Sequence, residues 1–273
     1  MADSYAVGNG GYLGLTGLEA RPKAKAAALK ALELDDSLAE ARTTLADTYL
    51  YYEWDFVKAD QEFRRAIAAN PNYPTAHQWY SECLYITGRY DEAIAEAKRA
   101  QELDPLSPII SESVADALFY ARKYDDAIEH SEKTLQMDAN LPAAHWDLAD
   151  AYVQKKMYPE AAAEWQKALT LSGDSTLAAS LGEAYRASGF QGFLRTWTDY
   201  DSKKDPLAGG VHPYEVARLF ALMGRKDEAV GWLQKAFAAR AGGMVRLKCD
   251  PVFDSLRSDP GIQAVVRKMN FPK

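Results

Sequence analysis

The chain has 273 residues, of which 48% are hydrophobic and 26% charged, and its formal net charge is −7. This balance supplies enough apolar surface for a buried core and excludes a disordered polyelectrolyte. An acidic chain with no basic stripe interleaved with aromatics is unsuited to gripping phosphates, so no nucleic-acid partner is expected.

In chain order, the first feature is the quartet Ala2-Asp3-Ser4-Tyr5, which returns as Ala46-Asp47-Thr48-Tyr49 and Ala149-Asp150-Ala151-Tyr152. Small residues followed three places on by an aromatic or leucine start at Ala46, Ser81, Ala115, Ala149, Gly182 and Ala217, steps of 35, 34, 34, 33 and 35 residues. Two further rows keep that register: Ala24, Ala59, Ala93, Ala127, Ala161 and Ala229, then Ala31, Ala66, Ala100, Thr134, Ala168 and Ala236. A fixed period of this length marks a repeat array. Each period reads as two helices. From Asn72 to Pro105, a run carrying Tyr80, Leu84 and Tyr85 is broken at Gly88-Arg89-Tyr90-Asp91, and a second run, Glu92 to Leu103, is closed by Asp104-Pro105. Alanine, serine or glycine at the repeated positions lets neighbouring helices approach closely.

The repeat residues Trp146-x-x-Ala149-x-x-Tyr152, Tyr158-x-x-Ala161 and Trp165-x-x-Ala168, with Pro71 and Pro105 closing units, resemble the tetratricopeptide repeat. The resemblance implies an all-α, right-handed α-solenoid of helix-turn-helix units with a C-terminal capping helix, forming a single domain over 1–273. Residues 1–36 read as a truncated first unit with a long Gly-rich loop from Gly8 to Pro22. Residues 37–171 read as four regular units, the second with one extra residue in its turn within Tyr52 to Phe56. Residues 172–239 read as two further units. The first of these lacks small contact residues around Phe193 to Trp197, so its second helix is expected to pack irregularly. Residues 240–273 read as the cap, with a short amphipathic helix from Gly261 to Met269. The missing turns before Ala2 make the sequence look cut from a longer protein. The tail, Leu103 to Pro108 and Asn72 to Tyr80 together resemble the C-terminal repeat regions of bacterial multidomain regulators, in which repeats follow a winged-helix, adenylate cyclase or serine/threonine kinase domain; this implies a sensory or interaction module.

Chemistry is sparse. Gly8-Asn9-Gly10-Gly11-Tyr12-Leu13-Gly14 fits no phosphate loop, and His77, His130, His145 and His212 fall in different units with no metal-binding spacing. His77 and His145 share one repeat position, where packing is the expected role. No nucleophile motif appears, so a non-enzymatic protein with no cofactor or metal is expected. Cys83 and Cys249 lack partners for a disulfide framework or zinc site, which fits a reducing, cytoplasmic setting. No signal peptide or membrane-length apolar run is found, and no membrane partner is expected.

The residue after each small position is acidic until the last: Asp3, Asp47, Glu82, Asp116, Asp150, Glu183, then Arg218. In the repeat fold this position faces the concave surface built by the first helices. Helix spacings of about 8–10 Å argue against neighbouring acids of the row sharing one metal ion. The groove set comprises Asp47, Tyr51, Gln78, Glu82, Tyr85, Glu112, Asp116, Phe119, Tyr120, Trp146, Asp150 and Glu183. An acidic and aromatic groove suits Lys, Arg or Pro in an extended peptide, or a partner domain. An acid row that only solvates its helices is the alternative for these residues. A self-associating scaffold, using apolar surface exposed on the first unit, and an enzyme with a site built across repeats are the alternatives for the protein.

Overall fold

The computed structural model describes residues 17–204 and 212–272. Expectations for residues 2–16 therefore lie outside the described residues. The helices are α1 (Gly17–Leu34), α2 (Ala39–Thr48), α3 (Phe56–Ala69), α4 (Pro74–Ile86), α5 (Tyr90–Leu103), α6 (Pro108–Tyr120), α7 (Tyr124–Met137), α8 (Pro142–Gln154), α9 (Tyr158–Leu171), α10 (Ser175–Asp201), α11 (Pro213–Leu222), α12 (Lys226–Ala238) and α13 (Pro260–Lys268). Two 3₁₀ segments, Gly242–Arg246 and Pro251–Leu256, separate the last two. Among the described residues there is no strand, and the fold class is all-α, stacked helix pairs as in a tetratricopeptide α-solenoid.

The chain divides into two compact units, residues 1–105 with 269–273, and residues 106–268. In unit 1, α2 packs on α3, α4 on α5, and α1 on α2. The start of α1 corrects one expectation: Gly17 to Pro22, read as the end of a loop, is helical, with Pro22 inside the helix. In the same unit Phe271 stacks on Phe56, with ring centroids 4.7 Å apart. In unit 2, α6 packs on α7, α8 on α9, α11 on α12, and α13 covers α12.

The repeated small residues are the contacts between helices. Ala46, Ala115, Ala149 and Ala217 are fully buried, as are Ala59, Ala93, Ala161 and Ala229. Four of the pairs' first helices, α4, α6, α8 and α11, open with proline at N1 or N2, where the missing N–H costs no helical bond. The turn inside the pair places one residue in left-handed backbone at a constant register: Trp54, Gly88, Arg122, Lys156, Gly189 and Gly224. The extra residue of the second unit is taken up by a π-helical turn, Tyr49–Glu53, that carries α2 into Trp54.

The fifth unit runs through one long element, α10, broken at Ser188-Gly189. Gly189 has φ 62° and ψ −159°, a conformation essentially open only to glycine. Beyond it Phe190, Phe193 and Trp197 replace the small contact residues. Trp165 lies 5.9 Å from Phe193 and 5.4 Å from Trp197, and Tyr158 stacks on Phe190 at 4.3 Å. An aromatic cluster thus does what paired alanines do elsewhere.

Candidate functional site

The first helix of each pair turns one face away from its own second helix, and the groove residues were read onto that face. In unit 1, Asp47 receives Arg21 Nη1 at 2.8 Å, and the same guanidinium stands 5.1 Å over the Tyr51 ring. The Tyr51 hydroxyl donates to Glu82. Asp47, Leu50, Tyr51, Phe63, Trp79 and Glu82 line a recess of about 50 Å³. Burial raises the Asp47 carboxyl to about 6; Arg21 opposes the rise and Glu82 adds to it. The recess therefore brings the carboxylates of Asp47 and Glu82 to one place, with Arg21 on the first of them.

Several groove expectations are corrected in this unit and the next. Tyr85 and Phe119 are buried rather than groove-lining. They stand four residues after Ser81 and Ala115, one turn along the face that packs against the second helix. Gln78 is also buried. Trp146 is half-buried against the aromatic cluster, 5.7 Å from Trp197, so it supports the core. Glu183 is exposed, and the direct pairing of Asp150 with Arg218 passes it by.

In unit 2 the first-helix face is filled by the chain itself. Residues 242–257, expected only as part of a terminal lid, reach back to Arg122, which holds Asp254 bidentately at 2.9 and 3.0 Å. Arg218 pairs with Asp150, with Glu215 at 2.8 Å and with Asp250 at 3.0 Å. The Tyr214 hydroxyl donates to Asp250 at 2.8 Å, and Arg257 donates to the carbonyls of Asp250 and Leu247 at 2.8 and 3.2 Å. Met244, Val245, Leu247 and Phe253 are fully buried. Tyr120 is buried too, and its hydroxyl is pushed far up by desolvation within the fields of Arg246, Asp116 and Asp250. Asp150, held at about 6 by burial against the pull of Arg218, belongs to this internal network.

Glu112 and Asp116 on α6 and Asp147 on α8 bring carboxylate oxygens within 4.8 Å of one another. Asp147 lies outside the acidic row, one turn before Asp150, so this convergence on Asp116 is not one between neighbouring acids of the row. The histidines pack as expected from their shared position. His77 Nδ1 faces Glu96 at 2.5 Å and Nε2 the Pro71 carbonyl at 2.9 Å; His145 faces Glu164 at 2.5 Å and the Ala139 carbonyl at 3.1 Å. Both cysteines are buried, and desolvation pushes the Cys83 thiol up to about 12 and the Cys249 thiol higher still. Neither is poised as a nucleophile. The filling segment was hidden from sequence reasoning, although Arg218 breaking the acidic row and Asp250 and Asp254 in the tail were the available signals.

Comparison with known proteins agrees with this architecture. Residues 48–108 and 115–176 match the family model described as tetratricopeptide repeat. A search of curated proteins found no match. Among solved structures, PilF of Pseudomonas aeruginosa is similar at 20% identity and TM-score 0.51, covering 98% of this chain and 97% of that one. The Cut9–Hcn1 hetero-tetramer of APC/C is similar at 14% identity and TM-score 0.55, covering 92% of this chain and 46% of that one. A tetratricopeptide repeat protein of Thermus thermophilus has 16% identity and TM-score 0.48, covering 85% and 98%. These likenesses are likenesses of fold. Among the described residues, no helix is long and apolar enough to cross a membrane. The chain carries tetratricopeptide repeats built as stacked helix pairs.

Proposed function

We propose that the chain is a protein–protein interaction module whose working surface is the first-helix face of unit 1, where it takes an extended segment carrying Lys or Arg, with proline accommodated in the extended backbone. The observation that carries this reading is the recess of Asp47, Tyr51, Trp79 and Glu82, in which Arg21 already rests on a carboxylate and a tyrosine face. A ligand cation that reached Asp47 and Glu82 would offset the burial cost of Asp47 and meet the Trp79 ring. In unit 2 Asp150 is held by Arg218, which also pairs with Asp250 of the chain's own segment, and Asp150 is assigned to the fold. On the resemblance to repeat regions of bacterial regulators, the module would report occupancy of this face to an output domain.

The test is titration of a pool of Lys-, Arg- and Pro-containing peptides against wild type, Glu82→Lys and Trp79→Ala at low and moderate salt. Glu82→Lys should weaken binding several-fold and flatten its salt dependence, since exposed pairs contribute about 0.2–1 kcal/mol each and are screened. Trp79→Ala should cost more, as aromatic anchors dominate such interfaces. Tightest binding by acidic peptides would overturn the reading.

A further inference from the structure

Unit 2 contains a cavity of about 570 Å³ lined by residues of that unit. Its wall is made by the turn after α8 (Val153, Gln154, Lys156, Tyr158), the break in α10 (Ser188, Phe190, Gln191), the end of α11 (Ala221, Leu222) and the 3₁₀ segment Pro251 to Ser255. The volume is that of a small-molecule site, which commonly spans about 300–1,000 Å³. On the apolar side the wall offers Val153, Val252, Leu222 and a plate formed by Tyr158 stacked on Phe190, centroids 4.3 Å apart and planes 17° from parallel.

The polar side is the informative one. Gln154, Ser188, Gln191 and Ser255 border the cavity, and among the described residues none of these side chains makes a hydrogen bond. Lys156 sits among them in left-handed backbone at φ 61° and makes no ion pair among the described residues, whereas its neighbour Lys155 is held by Asp125 at 2.7 Å. Asp254, the acid in the wall, is covered by Arg122 and by Arg257 at 2.7 Å. The charges around the cavity therefore sum to an excess of cation, with Lys156 the group left to meet a ligand.

We infer that this cavity is a binding site for a small organic carboxylate with a flat apolar body. The carboxylate pairs with the Lys156 ammonium, the body lies on the Tyr158–Phe190 plate, and the amides and hydroxyls of Gln154, Gln191, Ser188 and Ser255 set its orientation.

Calorimetric titration of the full chain with N-acetyl-phenylalanine tests the assignment, alongside its uncharged carboxamide, a tetrapeptide ending in phenylalanine, and the variant Lys156→Gln. Lys156 is exposed, so the variant keeps the fold, which circular dichroism verifies. The expected result is saturable binding of the acid, about two- to fivefold weaker binding of the carboxamide, and a similar loss in Lys156→Gln. Glu82→Lys, in the unit 1 recess, should leave this binding unchanged, which separates it from the peptide reading above. Absence of saturable binding at millimolar acid, equal binding of the carboxamide, or an unaltered affinity in Lys156→Gln would overturn the inference. Tenfold tighter binding of the tetrapeptide would likewise replace the small molecule with a peptide.

Discussion

Replacing Phe253 with alanine tests whether residues 242–257 are core or appended tail. The side chain is fully buried, and its ring lies 5.8 Å from Tyr214, whose hydroxyl is tied to Asp250. Burying a phenylalanine is worth about 1.5–3 kcal/mol. The void left by truncation raises the expected cost of Phe253→Ala to about 3–5 kcal/mol. Leu106→Ala in the same unit, at a side chain 84% exposed, should stay within about 0.5 kcal/mol. Urea unfolding followed by tryptophan fluorescence reads the difference, because Trp146, Trp165, Trp197 and Trp232 all lie in unit 2. A large fall in midpoint for Phe253→Ala and almost none for Leu106→Ala is expected. Equal midpoints would show that the segment is not part of the core, and the account of a self-filled face would fail.

The register of the helix contacts predicts that Ala93→Leu and Ala161→Leu each cost about 1–3 kcal/mol by overpacking, whereas exposed Ala95→Leu costs little, in thermal unfolding. Gly189→Ala should destabilise by about 1–3 kcal/mol, while Lys156→Gly, which relieves left-handed backbone, should stabilise by up to about 1 kcal/mol; melting temperatures of opposite shift are the check. The hydrogen bond from His77 to Glu96 raises the imidazole above its ordinary value, so its contribution is full below about 6.5 and lost as pH rises through the higher folded value. His77→Gln should remove that slope from the melting curve measured against pH. Because Asp47 titrates near 6, binding of a basic peptide in unit 1 should weaken from pH 7.5 to pH 5, and Asp47→Asn should abolish the change.

The helix pairs were legible because their determinants are local and repeated: a small residue at most contacts, a proline at the start of four first helices, a break between. Ala93 and Ala161 could be assigned without knowing what they touch, since one period away an equivalent residue touches an equivalent partner. Gly189 and the aromatic cluster were half legible, in that Phe193 and Trp197 announced irregular packing but not that their rings would meet Trp165. The groove was legible in position and misread in availability. A step of four residues along a helix keeps a side chain on the groove face, as from Asp47 to Tyr51, while Tyr85 and Phe119 stand on the face that meets the second helix. No local pattern shows that Asp254 will meet Arg122, 132 residues earlier.

That long-range contact decides which face can exchange its occupant. Met244, Val245, Leu247 and Phe253 are fully buried, and at about 1.5–3 kcal/mol for each such side chain their burial amounts to roughly 6–12 kcal/mol before the ion pairs are counted. A partner that displaced the segment would have to make up that loss before any net affinity appeared. A peptide affinity of about 8 kcal/mol, ordinary for micromolar binding, would be largely consumed by it. Asp150, tied through Arg218 to Asp250 of that segment, is therefore committed to folding unit 2. In unit 1 the Arg21–Asp47 pair is part-exposed, and a pair of that kind contributes about 1 kcal/mol at most. Binding there is within reach of a peptide, and its affinity will be set by the Trp79 contact and by the charge of Asp47 and Glu82.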